Sequence, residues 1–288
     1  MKRRGLSLLE LLVAIAIVAT LLALLLPAVQ KVRAAASRAS CSNNLHQIAL
    51  ALHQHHDAER SLPPATTYGN KFPYLSWTAW ILPYVEQDAA WREAVTDYRG
   101  QLSFSKPVPH RNLARELPIF ICPADGRKVG TNPDGTTAAF THYLGVAGTK
   151  WLYWDGMLYP NSAVKFSDVA DGTSNTLMVG ERPPSPDNSF GWWYAGSGQA
   201  AEGELDSHIV TYTWNRTFRA PTCPRDAPYT FSPGSSDDMC STFHFWSRHS
   251  GGANFALADG SVRFLSYSAS SLVPALSTRS GHESVEFQ

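Results

Sequence analysis

A surplus of positive charge is missing from this chain: Lys and Arg total 24, Asp and Glu total 24, and charged residues are only 17% of the sequence. That balance carries no sign of a basic surface for nucleic acid, and no obligatory nucleic-acid partner is expected. Cysteine is scarce as well, and the four present, Cys41, Cys122, Cys223 and Cys240, form no C-x-x-C pair. A zinc ribbon or a thioredoxin-like redox site is thereby excluded. No G-x-S-x-G, H-E-x-x-H or paired-carboxylate pattern occurs, and the glycine-bearing stretch Ala195 to Gly198 lacks the Gly-Lys-Ser or Gly-Lys-Thr of a phosphate loop. No enzyme and no cofactor are expected.

What the chain does have is one long apolar run near its start. Leu11 to Val29 carries no charge and is interrupted only by Thr20 and Pro27. At about 1.5 Å rise per residue it nearly crosses a hydrocarbon core of roughly 30 Å. Three readings fit such a run: a plain transmembrane anchor, a secretory signal cut at Ala34 to Ala36, and a leader cut after Gly5. Lys2, Arg3 and Arg4 place the N-terminus in the cytoplasm in all three. Without those three residues the 24 basic groups become 21 against 24 acidic ones, so the exported part is mildly acidic. Glu10 separates the readings. A carboxylate beside an apolar run is expensive to desolvate unless a cation accompanies it. Cleavage after Gly5 supplies that cation, since the new amine of Leu6 lies four residues earlier on the same helical face, or on a neighbouring subunit.

The residues Gly5-Leu6-Ser7-Leu8-Leu9-Glu10-Leu11-Leu12-Val13 closely resemble the processing site of type IV prepilins and type II secretion pseudopilins. The resemblance implies that a prepilin peptidase cuts after Gly5 and methylates Leu6, which stands where phenylalanine is usual. It also implies that Glu10 guides packing against other pilin-like subunits.

Beyond Pro27, Val32, Ala35, Ala39, Leu45, Ile48, Ala49 and Leu52 recur at helical spacing, which predicts a helix continuing to about Asp57 with one face on a globular domain. The expected division is a leader at 1–5, a helix at 6–60 and a head at 61–288. The helix has a membrane half at 6–29 and a head-packing half at 30–58. His46, His53, His55 and His56 sit late in that helix. His53 and His56 have a chelating i, i+3 spacing, but the solvated-face reading is favoured. Trp77 to Trp91 reads as one or two amphipathic helices broken at Pro83, with its aromatics in the core rather than forming a carbohydrate platform. The run Ile119-Phe120-Ile121 reads as a short buried strand. Further strands are expected at 176–179, 192–194, 209–214 and 243–246, with hairpins turning at Asp155-Gly156 and Asp259-Gly260. The fold class is α+β: a long N-terminal transmembrane helix on a mainly antiparallel β head, with an elaborated loop region at about 182–248.

In an oxidising compartment the cysteines are expected as disulfides. Of three possible connectivities the chosen one pairs Cys41 with Cys122, tying helix to head, and Cys223 with Cys240, stapling a loop rich in Pro, Gly and Asp. Asp168 to Asn175 offers several oxygens and keeps calcium open as an alternative, although self-bonded turn chemistry is favoured. The C-terminal signature is His249, nine residues, then Asp259-Gly260. With Cys41-Ser42-Asn43-Asn44-Leu45, Asp171 to Thr176 and Gly180-Glu181-Arg182, this pattern resembles the large bacterial family known as domain of unknown function 1559, over nearly the whole chain. A strand and turn separate His249 from Asp259, so the two are not expected to touch. Asp259 should shape its turn and His249 should bond locally, with metal ligation beside Glu181 as the alternative. The leading functional expectation is a non-enzymatic pseudopilin-like or minor-pilin-like subunit, single-pass in the inner membrane with its head periplasmic or extracellular. The runner-up is a membrane-tethered module that binds an extracellular ligand.

Overall fold

The computed structural model describes residues 8–69 and 71–283. Helix α1 (Leu8–Glu59) is continuous through Pro27, and among the described residues it is the one helix long and apolar enough to cross a membrane. Its two halves differ in surroundings. Leu12, Leu21, Leu24 and Val29 are more than half exposed, whereas Cys41, Leu45, Ile48, Ala49 and Leu52 are fully buried at the spacing of one helical face. Full burial of the helix therefore begins at Cys41, with Arg38 lying over the Phe264 ring of the head just before it. The expectation that Val32, Ala35 and Ala39 pack on the head is corrected, because Val32 is 69% exposed and Ala35 and Ala39 are exposed as well; between residues 30 and 41 the helix approaches the head through Arg38 instead.

The head is built on a five-stranded sheet ordered β5-β3-β4-β6-β7, comprising β3 (Tyr143–Val146), β4 (Leu177–Glu181), β5 (His208–Ile209), β6 (Gly252–Leu257) and β7 (Val262–Ser266). All neighbours are antiparallel except β3 and β5. A separate ribbon joins β1 (Val129–Thr131) to β2 (Thr137–Ala139). The period-2 rule sorts β6 onto two faces. Ala253, Phe255 and Leu257 enter a core with Leu144, Val146, Phe243 and Phe245. Ala256, from the opposite face, joins the core of α1, which includes Trp77, Phe120, Phe140 and Trp193. Short helices α2 (Trp77–Trp80) and α3 (Asp88–Gly100), with a 3-10 turn at Leu82–Tyr84 between them, close that second core as the break at Pro83 predicts.

Several strands expected from aromatic content are absent. Residues 151–159 form turns rather than a hairpin. Asp155 folds back to accept the backbone N–H of Thr149 at 2.7 Å, and a Cβ on Gly156 would lie 2.3 Å from the Gly148 nitrogen, so this glycine serves close backbone approach. Pro118–Phe120 is a 3-10 turn, not a strand, since proline opens it and Phe120 N–H bonds Leu117. The stretch 209–214 keeps only the end of β5 and an isolated bridge from Thr213 to Tyr229, 192–194 supplies an isolated bridge at Trp192, and 243–246 begins at the last residue of the 3-10 helix Met239–Phe243. The 182–248 region is not merely surface loop, for Phe190, Leu205, Ile209 and Phe231 are core residues. Both expected disulfides form, Cys41–Cys122 and Cys223–Cys240.

Candidate functional site

The separated sequence motifs converge where α1 enters the head. Asn44, one turn beyond Cys41, donates its amide to the Ile121 carbonyl at 3.1 Å and to the Tyr143 hydroxyl at 3.3 Å. Helix and 3-10 turn are thus held together by side chain and by disulfide. Glu181 ends β4 and lies opposite Tyr143 across the ladder. Its preceding Gly180 permits close packing, since a Cβ there would stand 2.4 Å from Phe255 Cε1. The buried Glu181 carboxylate accepts the Asn254 backbone N–H at 2.7 Å and the Asn254 amide at 3.1 Å. His249 approaches it from the loop before β6, with Nε2 3.2 Å from Glu181 Oε1 and 3.6 Å from Cys122 Sγ. Ser247 fixes this loop by accepting the His249 N–H at 3.0 Å while donating to the Gly252 carbonyl at 2.7 Å.

Asp259 and Gly260 lie beyond the far end of β6, so His249 and Asp259 occupy opposite ends of one strand. Asp259 closes its turn by accepting the Ser261 N–H and hydroxyl, at 2.9 and 2.6 Å. Its carboxyl is held below the ordinary value because, although burial acts the other way, those bonds favour the anion. Two helix histidines meet this turn, His53 at 3.0 Å from the Ala258 carbonyl and His46 at 3.1 Å from that of Gly260. His53 also stacks on Phe166, and His56 Nε2 lies 3.4 Å from the Phe166 nitrogen. The solvated face expected for these histidines is corrected: only His46 is exposed, His53 and His56 are half-buried where the helix docks on Phe166, and His55 is buried with Nδ1 3.1 Å from the Ser61 carbonyl. In the Asp168–Asn175 stretch, Asp171 receives the N–H groups of Gly281 and His282, both at 2.7 Å, and Asp168 that of Lys165 at 2.9 Å. Asp168 thus bonds locally, as the favoured turn chemistry expects, whereas Asp171 is corrected: its carboxylate holds the remote segment at Thr278, Gly281 and His282 and not its own turn.

Asp125 is the residue that sequence reasoning missed. The dipeptide Asp125-Gly126 reads only as a turn, yet the Asp125 carboxylate is fully buried. It accepts from Arg127 Nε at 2.7 Å and Arg248 Nε at 3.2 Å, with His142 Nε2 at 3.3 Å. Burial alone would raise its pKa, but His142 and Arg127 outweigh that and hold it well below the usual carboxylate range. Through Arg248 it fixes the loop carrying His249. A folded-state pKa below the unfolded one gives stability that is present above the unfolded value and is lost as pH falls. Asp125→Asn is therefore expected to lower stability by about 3 kcal/mol at neutral pH, as for a buried pair that loses one partner. The gap to wild type should narrow below about pH 4, where the unfolded carboxyl begins to bind its proton. Denaturant unfolding of the detergent-solubilised chain at a series of pH values checks both statements.

Residues 1–26 match the prokaryotic N-terminal methylation motif, which makes the chain type IV pilin-like at its start, with Gly5 and Leu6 outside the described residues. Residues 30–271 match the family described as "Protein of unknown function (DUF1559)", and the chain belongs to that family. No curated protein and no solved structure matches it.

Proposed function

We propose that this chain is a non-enzymatic, pseudopilin-like or minor-pilin-like subunit of a type II secretion or type IV pilus-like assembly. A prepilin peptidase processes it, and α1 holds it in the inner membrane with the head on the far side. The supporting observation is the exposure of α1 over its apolar half, where Leu12, Ile15, Val18, Leu22, Leu25 and Val29 are all more than half exposed. Such a surface needs covering, first by lipid and then by the like helices of neighbouring subunits. The methylation motif over the start of that same segment favours the pilin-like cover over a simple anchor.

Processing between Gly5 and Leu6 is the direct test. Mass spectrometry of the chain purified from membranes should find Leu6 as the N-terminal residue carrying one added methyl group. An intact Met1, or a start near Ser37, would refute the proposal in favour of an uncleaved anchor or an ordinary signal sequence.

A further inference from the structure

Cys41, Cys122, Glu181 and His249 come from the helix, the segment after the 3-10 turn, a strand end and a loop, yet all four are buried and their ligand atoms lie within 4.8 Å of one another. Among the described residues no other group of three or more His, Cys, Asp or Glu side chains converges in this way. While the two sulfurs are joined they are poor metal ligands, because the thiolate is the coordinating species. Once parted they complete a set of two sulfurs, one imidazole nitrogen and one carboxylate oxygen. That set suits a borderline-soft divalent cation in tetrahedral geometry.

We propose that reduction of the Cys41–Cys122 disulfide converts this cluster into a binding site for one zinc-class divalent ion. The chemistry balances with a dithiol as reductant: it gives two electrons and two protons to the disulfide, forming two thiols and becoming a disulfide itself. The incoming cation displaces both thiol protons to solvent. Bonds of about 2.3 Å to sulfur and 2.0 Å to nitrogen and oxygen require ligand-to-ligand separations of roughly 3.3 to 3.8 Å. His249 Nε2 already stands 3.2 Å from Glu181 Oε1 and 3.6 Å from Cys122 Sγ. The sulfurs must part on reduction, and no pair of ligand atoms starts more than 4.8 Å apart, so shifts of an ångström or so complete the set. Asn254 holds the Glu181 carboxylate with two bonds, and Ser247 holds the His249 backbone, so the oxygen and nitrogen ligands are oriented in advance. Entry is provided by a cavity of about 570 Å³ that His249 lines together with Arg33, Ser37, Arg38 and Arg248. The site would keep α1 crosslinked to the head after the covalent bond is lost, with a metal thiolate replacing it.

The test uses the full chain in detergent with Cys223→Ala and Cys240→Ala, so that the remaining thiols are those of the site. The protein is reduced with dithiothreitol, freed of it without air, and titrated with Zn²⁺ against a chromophoric chelator. One Zn²⁺ per reduced chain is expected, none in the oxidised chain, and at least tenfold weaker binding with His249→Ala or Glu181→Gln. Co²⁺ in the same site should show tetrahedral absorption with thiolate charge-transfer bands. No stoichiometric zinc in the reduced chain, equal zinc in the oxidised chain, or undiminished affinity in both variants would overturn the proposal. If the background variant does not fold, reduced wild type compared with its own His249→Ala form decides the matter in the same way, because among the described residues the other cysteine pair has no converging His or Glu.

Discussion

Replacing both Cys41 and Cys122 by alanine should lower the stability of the chain by about 4.5 kcal/mol, against about 3 kcal/mol for the same change at Cys223 and Cys240. The difference follows from the length of chain each bond closes, with sequence separations of 81 and 17, since a longer closed loop removes more freedom from the unfolded state. The larger effect also falls at the more consequential place. Leu45, Ile48 and Leu52 still pack after the change, so α1 stays docked. It loses the covalent tie that sets where docking begins. Unfolding monitored by tryptophan fluorescence under non-reducing conditions measures both midpoints. Equal losses, or a larger loss at Cys223–Cys240, would show that native-state contacts rather than chain closure dominate.

Glu10→Ala should reduce crosslinked oligomers in membranes by about a hundredfold or more while leaving export and both disulfides intact. Within the proposed assembly the Glu10 carboxylate meets the Leu6 amine of a neighbouring helix in an apolar environment. Removing one partner of a desolvated ion pair is typically destabilising by about 3 to 5 kcal/mol, of which about 1.4 kcal/mol is worth each factor of ten in association. Glu10→Asp should recover part of the yield. Oligomer yield equal to wild type in the alanine variant would instead indicate a solitary tethered module.

The sequence made some of this architecture plain, for identifiable reasons. Leu45, Ile48 and Leu52 repeat at helical spacing because one face of a rigid helix is buried, and a periodic surface leaves a periodic record. Hairpin β6–β7 was visible through Asp259-Gly260, a pair that suits a two-residue turn. The stretch 151–159 misled because aromatic residues favour strands only where a pleated surface receives them. Here Leu152 and Tyr153 are 65% and 63% exposed on turns. Val32 and Ala39 misled in the opposite way, since apolar residues at helical spacing do not say what covers them. In the candidate site the meeting of His249 with Glu181 was open only as an alternative, and nothing local tells that Cys122 shares their point. Asp125 was hidden because its partners Arg127, His142 and Arg248 are mostly remote in the chain.

Pro27 gives the molecule an elbow. Having no N–H, it leaves the carbonyl of Ala23 one turn earlier without its helical partner, so bending resistance is lowest there although the helix does not break. From Pro27 to Cys41 runs a largely exposed neck of roughly 20 Å at about 1.5 Å per residue, which meets the head near its upper end at Arg38. Sideways load on the head is then relieved by flexing at the elbow, sparing the packed region above it. Tension along the axis has no such outlet: it passes through the unbroken rod to the apolar half, so the same helix that tolerates tilting is stiff to being pulled.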